Sequence, residues 1–402
     1  MKVLITDKFS DGGIEAIKNL GCAVEYNQAL KEQTLLEELT KEEYEILIVR
    51  STIVTGDMIK ASPSLSLIIR AGSGYNTIDV RTASERSVYV ANCPGKNSIA
   101  VAELAFGLIL SIDRRIPDNV IQLKNGKWNK KEFSKARGIF GRTLGIIGLG
   151  RIGREMVSRA EAFGMNVIAW SRSLTPQRAG ELDIKYAGNI EQVAEEADIV
   201  SVHLALTEDT RSLIGKSFFN AIKHGAYFIN TSRAEIVDNN ALLKAINEKG
   251  IRAGLDVFMN EPEVKAGEFK DDIANQQNLY GTHHIGASTQ QAQAAVAEET
   301  VRIVREYLNT GKVPNCVDIM ERPPARAMVT VHHKNRVGIL AGVLDVIRDA
   351  NINVERMENV IFEGADGACA RIQIDDYLPK YDLSKIKKMS GDIFCVTQVG
   401  LT

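Results

Sequence analysis

TLGIIGLGRIGREM, running from Thr143 to Met156, decides how this 402-residue chain is read. Its first half, Thr143–Ile147, is an apolar run of the length of one buried strand. Its second half sets Gly148, Gly150 and Gly153 in a Gly-x-Gly-x-x-Gly turn ahead of a predicted helix over Arg154–Phe163. Gly148 permits the tight turn, Gly150 lets a pyrophosphate approach the backbone, and Gly153 lets helix and strand pack closely. The phosphates of a dinucleotide would then meet the helix N-terminus. A glycine triplet alone also fits a plain βα turn. The strand predicted at Asn166–Trp170 supplies the rest of the βαβ unit that dinucleotide binding requires.

The end of that second strand lacks the acid that would hold a ribose 2′-hydroxyl, and Ser171 and Arg172 stand there instead. With no carboxylate to repel a 2′-phosphate, Arg172, assisted by Ser171, Ser173 and Arg178, is equally suited to binding one and to facing solvent beside an NAD site. NAD is the expected cofactor, and NADP stays open.

Upstream, Val3–Thr6, Ile46–Val49, Leu67–Ile69 and Val88–Ala91 read as strands that each end in polar residues, which predicts a parallel α/β sheet. A helix over Ser98–Asp113 leads to a second α/β run from Gly141 to Ala287, and a helix over Thr289–Asn309 could carry the chain back to the first domain. ERPPA, Glu321–Ala325, breaks secondary structure and marks a linker. Beyond it the pattern is strand Ala327–His332, helix Gly338–Ala350, hairpin Val354–Ile361 and Ala368–Ile374, helix Leu383–Met389 and strand Phe394–Gly400. This βαββαβ order is that of a small α+β domain. The expected fold is therefore α/β, two Rossmann-like or flavodoxin-like parallel-sheet domains plus a C-terminal ferredoxin-like α+β domain. The expected divisions are 1–97 with 290–320 for substrate, 98–289 for the dinucleotide, and 325–402 for regulation.

Lys plus Arg total 49 against 51 for Asp plus Glu, so no basic excess exists to hold a nucleic acid or an anionic membrane, and small molecules are the expected ligands. Cys22, Cys93, Cys316, Cys369 and Cys395 fall singly, as in a reducing compartment. The longest apolar stretch, Val101–Ile112, is interrupted by Glu103 and too short for a bilayer, and MKVLITDKF lacks a signal-peptide pattern, so a cytoplasmic protein is expected. The six histidines show no ligand spacing and no cysteine cluster accompanies them, so no metal is expected.

Three further segments follow the glycine turn: INTSRAEIVD (Ile229–Asp238), GLDVFMNEP (Gly254–Pro262) and THHIGAST (Thr282–Thr289). With GLGRIG they resemble the D-isomer-specific 2-hydroxyacid dehydrogenases over residues 1 to about 320. Oxidising a 2-hydroxy acid needs a cation that grips the carboxylate, a task for the planar fork of Arg233, and a base for the hydroxyl proton, a task for His284. Glu261 would bond the other ring nitrogen and fix its tautomer. The resemblance implies these roles. It also places Ser73, Arg151, Ile152, Leu204, Thr231, Asp256 and Ala287 near the cofactor. His283 stands where the family usually has proline and is a rival base; the register of Ile285-Gly286-Ala287 favours His284. Ala234 stands where the family usually has glycine.

Arg50-Ser51, RAGSGYN (Arg70–Asn76, with Gly72 and Gly74) and Asn97 match loops that hold substrate in the members acting on 3-phosphoglycerate in the first step of serine synthesis, and Arg50, Arg70 and Lys130 could supply charge for a phosphate. Residues 325–402 resemble an ACT domain through HKNRVGIL, His333–Leu340, although Val337 replaces the usual proline. In that resemblance His333, Asn335 and Asn353 match serine-binding positions, and one edge of the small domain is expected to present all three. The helix N-terminus at Gly338 suits a carboxylate. L-serine is therefore an expected effector and a homodimer or homotetramer the expected assembly, against the alternative of an ACT fold kept only for dimerisation. Two other readings stand beside this one: a glyoxylate or hydroxypyruvate reductase using NADPH, and a nucleotide-sensing scaffold or corepressor.

Overall fold

The computed structural model describes residues 1–262 and 267–401 and divides into two compact units, Met1–Asp318 and Ile319–Thr402. In the larger unit, β1 (Lys2–Ile5), β2 (Ala23–Tyr26), β3 (Ile46–Val49), β4 (Leu67–Arg70) and β5 (Tyr89–Asn92) form a parallel sheet in the order β2-β1-β3-β4-β5. β3 is an uninterrupted apolar run with every residue buried, as expected of a strand covered on both faces. β2 escaped the sequence reading. It is the sheet's edge strand, its side chains alternate between exposed and half-buried, and AVEY has too little apolar content to stand out.

The second sheet is also parallel. It contains β6 (Thr143–Ile147), β7 (Asn166–Trp170), β8 (Lys185–Tyr186), β9 (Ile199–Val202), β10 (Tyr227–Asn230), β11 (Arg252–Leu255) and β12 (Leu279–Gly281), in the order β12-β11-β10-β9-β6-β7-β8. The order reverses between β6 and β9, the switch point where parallel α/β sheets open a ligand crevice at their carboxyl ends. The helix Ser98–Arg114 packs its buried face, including Ala105, Leu108, Ile109 and Ile112, onto this sheet. The long helix Gln290–Thr310 returns to the first sheet, where Val301, Ile303 and Val304 join the core of β1, β3 and β4. Glu299 of that helix is buried and ties down its surroundings through Arg302, Lys96 and Asn315.

The smaller unit is β13 (Ala327–Lys334), helix Ile339–Asp349, β14 (Val354–Ile361), β15 (Gly367–Ile374), helix Lys380–Lys388 and β16 (Ile393–Gly400). Its sheet is antiparallel at every pairing, in the order β14-β15-β13-β16, and Val329, Val331, Ile372 and Ile374 face the two helices. The unit begins at Ile319, ahead of the Glu321–Ala325 linker that the sequence suggested. Arg326 donates its backbone N–H to Ile374 O at 2.9 Å, just ahead of the first strand of the sheet.

Candidate active site

The carboxyl ends of the two parallel sheets border one cleft of about 1090 Å³, lined among others by Arg50, Ser51, Arg70, Gly72, Asn97, Glu261, His284 and Ala287. His284 Nδ1 lies 2.7 Å from Glu261 Oε2, while Glu261 Oε1 accepts the Phe258 N–H at 2.9 Å. Burial alone would raise the Glu261 carboxyl. The bonds from His284 and Phe258 and the charges of His284 and Arg233 outweigh burial and hold it below the usual glutamate range. His284 has a left-handed backbone, φ 51°, unusual for a residue with a side chain. Asp256 imposes it: this buried carboxylate accepts Thr282 Oγ1 at 2.6 Å and the backbone N–H groups of Ile285 and Gly286 at 2.8 Å each. His283 also lines the cleft, and among the described residues it makes no carboxylate bond like that of His284.

Arg233 donates to Ser232 O at 2.7 Å and to Asn76 Oδ1 at 3.4 Å, which brings its guanidinium beneath the Gly72–Gly74 loop. The two glycines of that loop let both arginine heads lie close against the backbone. A Cβ on Gly74 would stand 2.4 Å from Arg233 Nη2, and one on Gly72 only 1.6 Å from Arg70 Nη1. Arg70 has no partner for its buried Nε. Burial, and after it the charges of Arg233 and Arg50, pull its pKa down to about 10, so it remains a cation at neutral pH. Ser73 donates to Asn97 Oδ1 at 2.7 Å, joining the loop to the start of the helix Ser98–Arg114.

Asp7, at the end of β1, was not singled out from sequence. Its Oδ2 accepts the N–H groups of Arg50, Ser51 and Thr52 at 2.7, 2.9 and 2.9 Å, and Ser51 Oγ donates to Oδ1 at 2.8 Å. Burial pushes this carboxyl up, but those bonds outweigh it and keep it below the ordinary aspartate range. An acid closing a buried strand, in parallel register beside Arg50, was the available signal.

The glycine turn fits a dinucleotide. Gly148 adopts φ 99° with no room for a side chain, since a Cβ would stand 2.6 Å from His203 O. A Cβ on Gly153 would meet Gly148 O at 2.4 Å, while Gly150 faces open space. Gly150 caps the helix Arg151–Ala162 without a side-chain bond, leaving its N-terminal N–H groups to a ligand. Two polar atoms near this turn, Thr231 Oγ1 and His203 Nδ1, are buried without partners. Burial drives His203 down to about 3, so the ring is neutral. Leu204 packs at Gly148, Ile152 lies in the first turn of the helix, and Arg151 reaches across to Pro94 O. Arg172 is exposed, with Asp209 at 3.8 Å, and Ser171 is half-buried.

Two expectations need correction. Lys130 does not reach the main cleft: it begins the short helix Lys130–Phe133 and lines a separate hollow with Trp128 and Phe133. Nor does one edge of the small domain present His333, Asn335 and Asn353. β13 and β14 each pair antiparallel with β15, so they run in the same direction. Asn353 precedes β14, next to Asp375, a strand length or roughly 20 Å from the end of β13 that carries the other two. The His333 ring is buried, its nitrogens 2.7 Å from Lys334 O and 3.3 Å from Asn359 Oδ1. Asn335 donates to Ala365 O at 3.1 Å. Among the described residues no His, Cys, Asp and Glu cluster is arranged to hold a metal, and no helix is long and apolar enough to cross a membrane.

The D-isomer specific 2-hydroxyacid dehydrogenase NAD-binding domain matches residues 106–286. A D-3-phosphoglycerate dehydrogenase of Methanocaldococcus jannaschii is 33% identical over 377 residues, 93% of this chain and 67% of that protein. A hydroxypyruvate reductase of Thermotoga maritima is 40% identical over 268 residues, 66% of this chain and 85% of that protein. The chain spans between 60% and 67% of the length of the archaeal and rat phosphoglycerate dehydrogenases it matches. Among solved structures, NAD+-bound 3-phosphoglycerate dehydrogenase of Entamoeba histolytica superposes with a TM-score of 0.66 at 25% identity, covering 80% of this chain and 99% of that one. Sequence motifs, sheet order and relatives matched over two thirds or more of their length thus agree, and the chain belongs to the D-isomer specific 2-hydroxyacid dehydrogenase family, whose NAD-binding domain it carries.

Proposed function

We propose that this protein is a D-3-phosphoglycerate dehydrogenase, oxidising 3-phosphoglycerate to 3-phosphohydroxypyruvate in the first step of serine synthesis. The observation that carries the proposal is the cation surplus at the cleft. Arg233, Arg70 and Arg50 converge near a single Glu261–His284 pair, more positive charge than one substrate carboxylate calls for. Arg70, whose buried Nε has no partner, calls for an anionic ligand beside it.

In this reading Arg233 grips the substrate carboxylate through its planar fork, and the N–H groups of the Gly72–Gly74 loop orient it. The ring nitrogen of His284 that faces away from Glu261 takes the hydroxyl proton, and Glu261 stabilises the imidazolium that results. Arg50, Ser51 and Arg70 hold the distal phosphate, and Asn97 fixes the loop. NAD held by Gly148–Gly153, Arg151, Ile152, Leu204, Thr231 and Ala287 supplies the hydride acceptor. Asp256 holds the His284 loop in its left-handed turn.

L-serine as effector rests on His333, Asn335 and Asn353. The strand directions set Asn353 apart from the other two, and in this reading it comes from a second copy, so the effector site and a homo-oligomer stand or fall together. The unpaired cysteines support a reducing, cytoplasmic compartment. A second reading, hydroxypyruvate or glyoxylate reduction with NADPH, is favoured by the exposed Arg172 where an acid would reject NADPH. Steady-state rates with 3-phosphohydroxypyruvate, hydroxypyruvate and glyoxylate, each with NADH and NADPH, separate the two. A preference for the phosphorylated substrate supports the first reading, and preference for an unphosphorylated one supports the second.

A further inference from the structure

Lys8 stands just past the end of β1, which is paired directly with β3, and β3 is paired with β4. Lys8, Arg50 and Arg70 therefore mark three adjacent strand ends, and all three line the cleft. The salt bridges found among the described residues engage other cations and leave these three without an acid. Asp7, next to Lys8 in sequence, is turned to the backbone of Arg50, Ser51 and Thr52 and locks that loop against the β1 end. The cations thus form a series. The inner end is Arg233, whose guanidinium donates to Asn76 just past β4 beside Arg70, and the outer end is Lys8, exposed and on a flexible stem at the β1 side. Beside it, Ser10 also lines the cleft and begins the nine-residue helix Asp11–Asn19.

From this series we infer that Lys8 is a specificity-determining residue whose ammonium takes the distal anionic group of the substrate, selecting a phosphorylated hydroxy acid over its unphosphorylated counterpart. The inference deepens the phosphoglycerate reading and rests on it. A two-carbon keto acid held at Arg233 reaches no further than the inner arginines, whereas a phosphate on the third carbon extends toward Arg50 and Lys8. A lysine suits that position because a phosphate has no fixed orientation there, and a mobile point charge follows it at little geometric cost.

The test compares wild type with Lys8→Met and Lys8→Arg in the full chain, reading kcat/KM for 3-phosphohydroxypyruvate divided by kcat/KM for hydroxypyruvate. Lys8→Met should lower this ratio about 10-fold or more, mainly through KM for the phosphorylated substrate, and Lys8→Arg should keep it within about 3-fold of wild type. A ratio that Lys8→Met leaves in place overturns the inference. If the wild type rejects 3-phosphohydroxypyruvate, the functional reading fails by itself, and Lys8 is then tested with inorganic phosphate as inhibitor of hydroxypyruvate reduction. Inhibition weakened about 5-fold or more by Lys8→Met would keep the anion site. Equal inhibition of both proteins, or none of either, overturns it.

Discussion

Glu261 Oε2 lies 2.7 Å from His284 Nδ1, and the other Glu261 oxygen takes the Phe258 N–H at 2.9 Å. The carboxyl is held below its usual range, so it stays anionic across the pH range in which a dehydrogenase works. Glu261→Gln keeps the shape and removes the charge that favours protonated His284. In the reductive direction, where His284 must give up a proton, the fall in kcat/KM with rising pH should begin at lower pH in the variant. A pH profile of the two proteins measures this, and superimposable profiles would rule out the pairing as an electrostatic device.

Much of this site was legible in sequence because it sits on strand ends. β6 and β7 lie where the glycine turn required, and Arg233, Glu261 and His284 fall in loops just past β10, β11 and β12. What was not legible depends on three-dimensional register. Asp7 acts on residues more than forty positions away, at 2.7 to 2.9 Å, and its place after a buried strand signals a polar strand end without telling which loop it holds. Asn353 and His333 are twenty residues apart, yet the direction shared by β13 and β14 sets them at opposite ends of the sheet. Lys130 was expected near the substrate on its charge alone, and the short helix that carries it lines another hollow.

Cofactor choice turns on the end of β7. Ser171 and Arg172 stand there in place of a carboxylate, and the exposed Arg172 has Asp209 at 3.8 Å. NADPH should therefore support turnover alongside NADH, and Ser171→Asp should shift the ratio of their kcat/KM values toward NADH by about 10-fold or more through repulsion of the 2′-phosphate. Complete rejection of NADPH by the unaltered enzyme would contradict this account of Arg172.

Stability should depend on Glu299. Its bond to Arg302, against the opposing effect of burial and with help from Asn315 and Lys96, holds the carboxyl down to about 2, below the ordinary 4.5. A carboxyl lowered in the folded state contributes stability that is fully present above the ordinary value and is lost as pH falls through the folded one. Wild type should lose stability between pH 4.5 and about 2, with Glu299→Gln flatter in that window and weaker by about 1–3 kcal/mol at pH 7. Urea unfolding across pH measures both, and parallel curves would show the network to be inert.

Serine control should depend on a second copy. Millimolar L-serine should slow the wild type, and Asn353→Ala should abolish that inhibition, while a dilution series should show inhibition vanishing as the oligomer dissociates. A wild type indifferent to serine would leave the small domain as an assembly module.

The central claim is that His284, oriented by Glu261, moves the hydroxyl proton. It is tested most directly by turnover of His284→Ala with NADH affinity measured in parallel by fluorescence titration and His283→Ala as control. The account predicts turnover about 100-fold or more below wild type for His284→Ala, near-normal NADH affinity, and a far smaller loss for His283→Ala. Near-normal turnover in His284→Ala would contradict it.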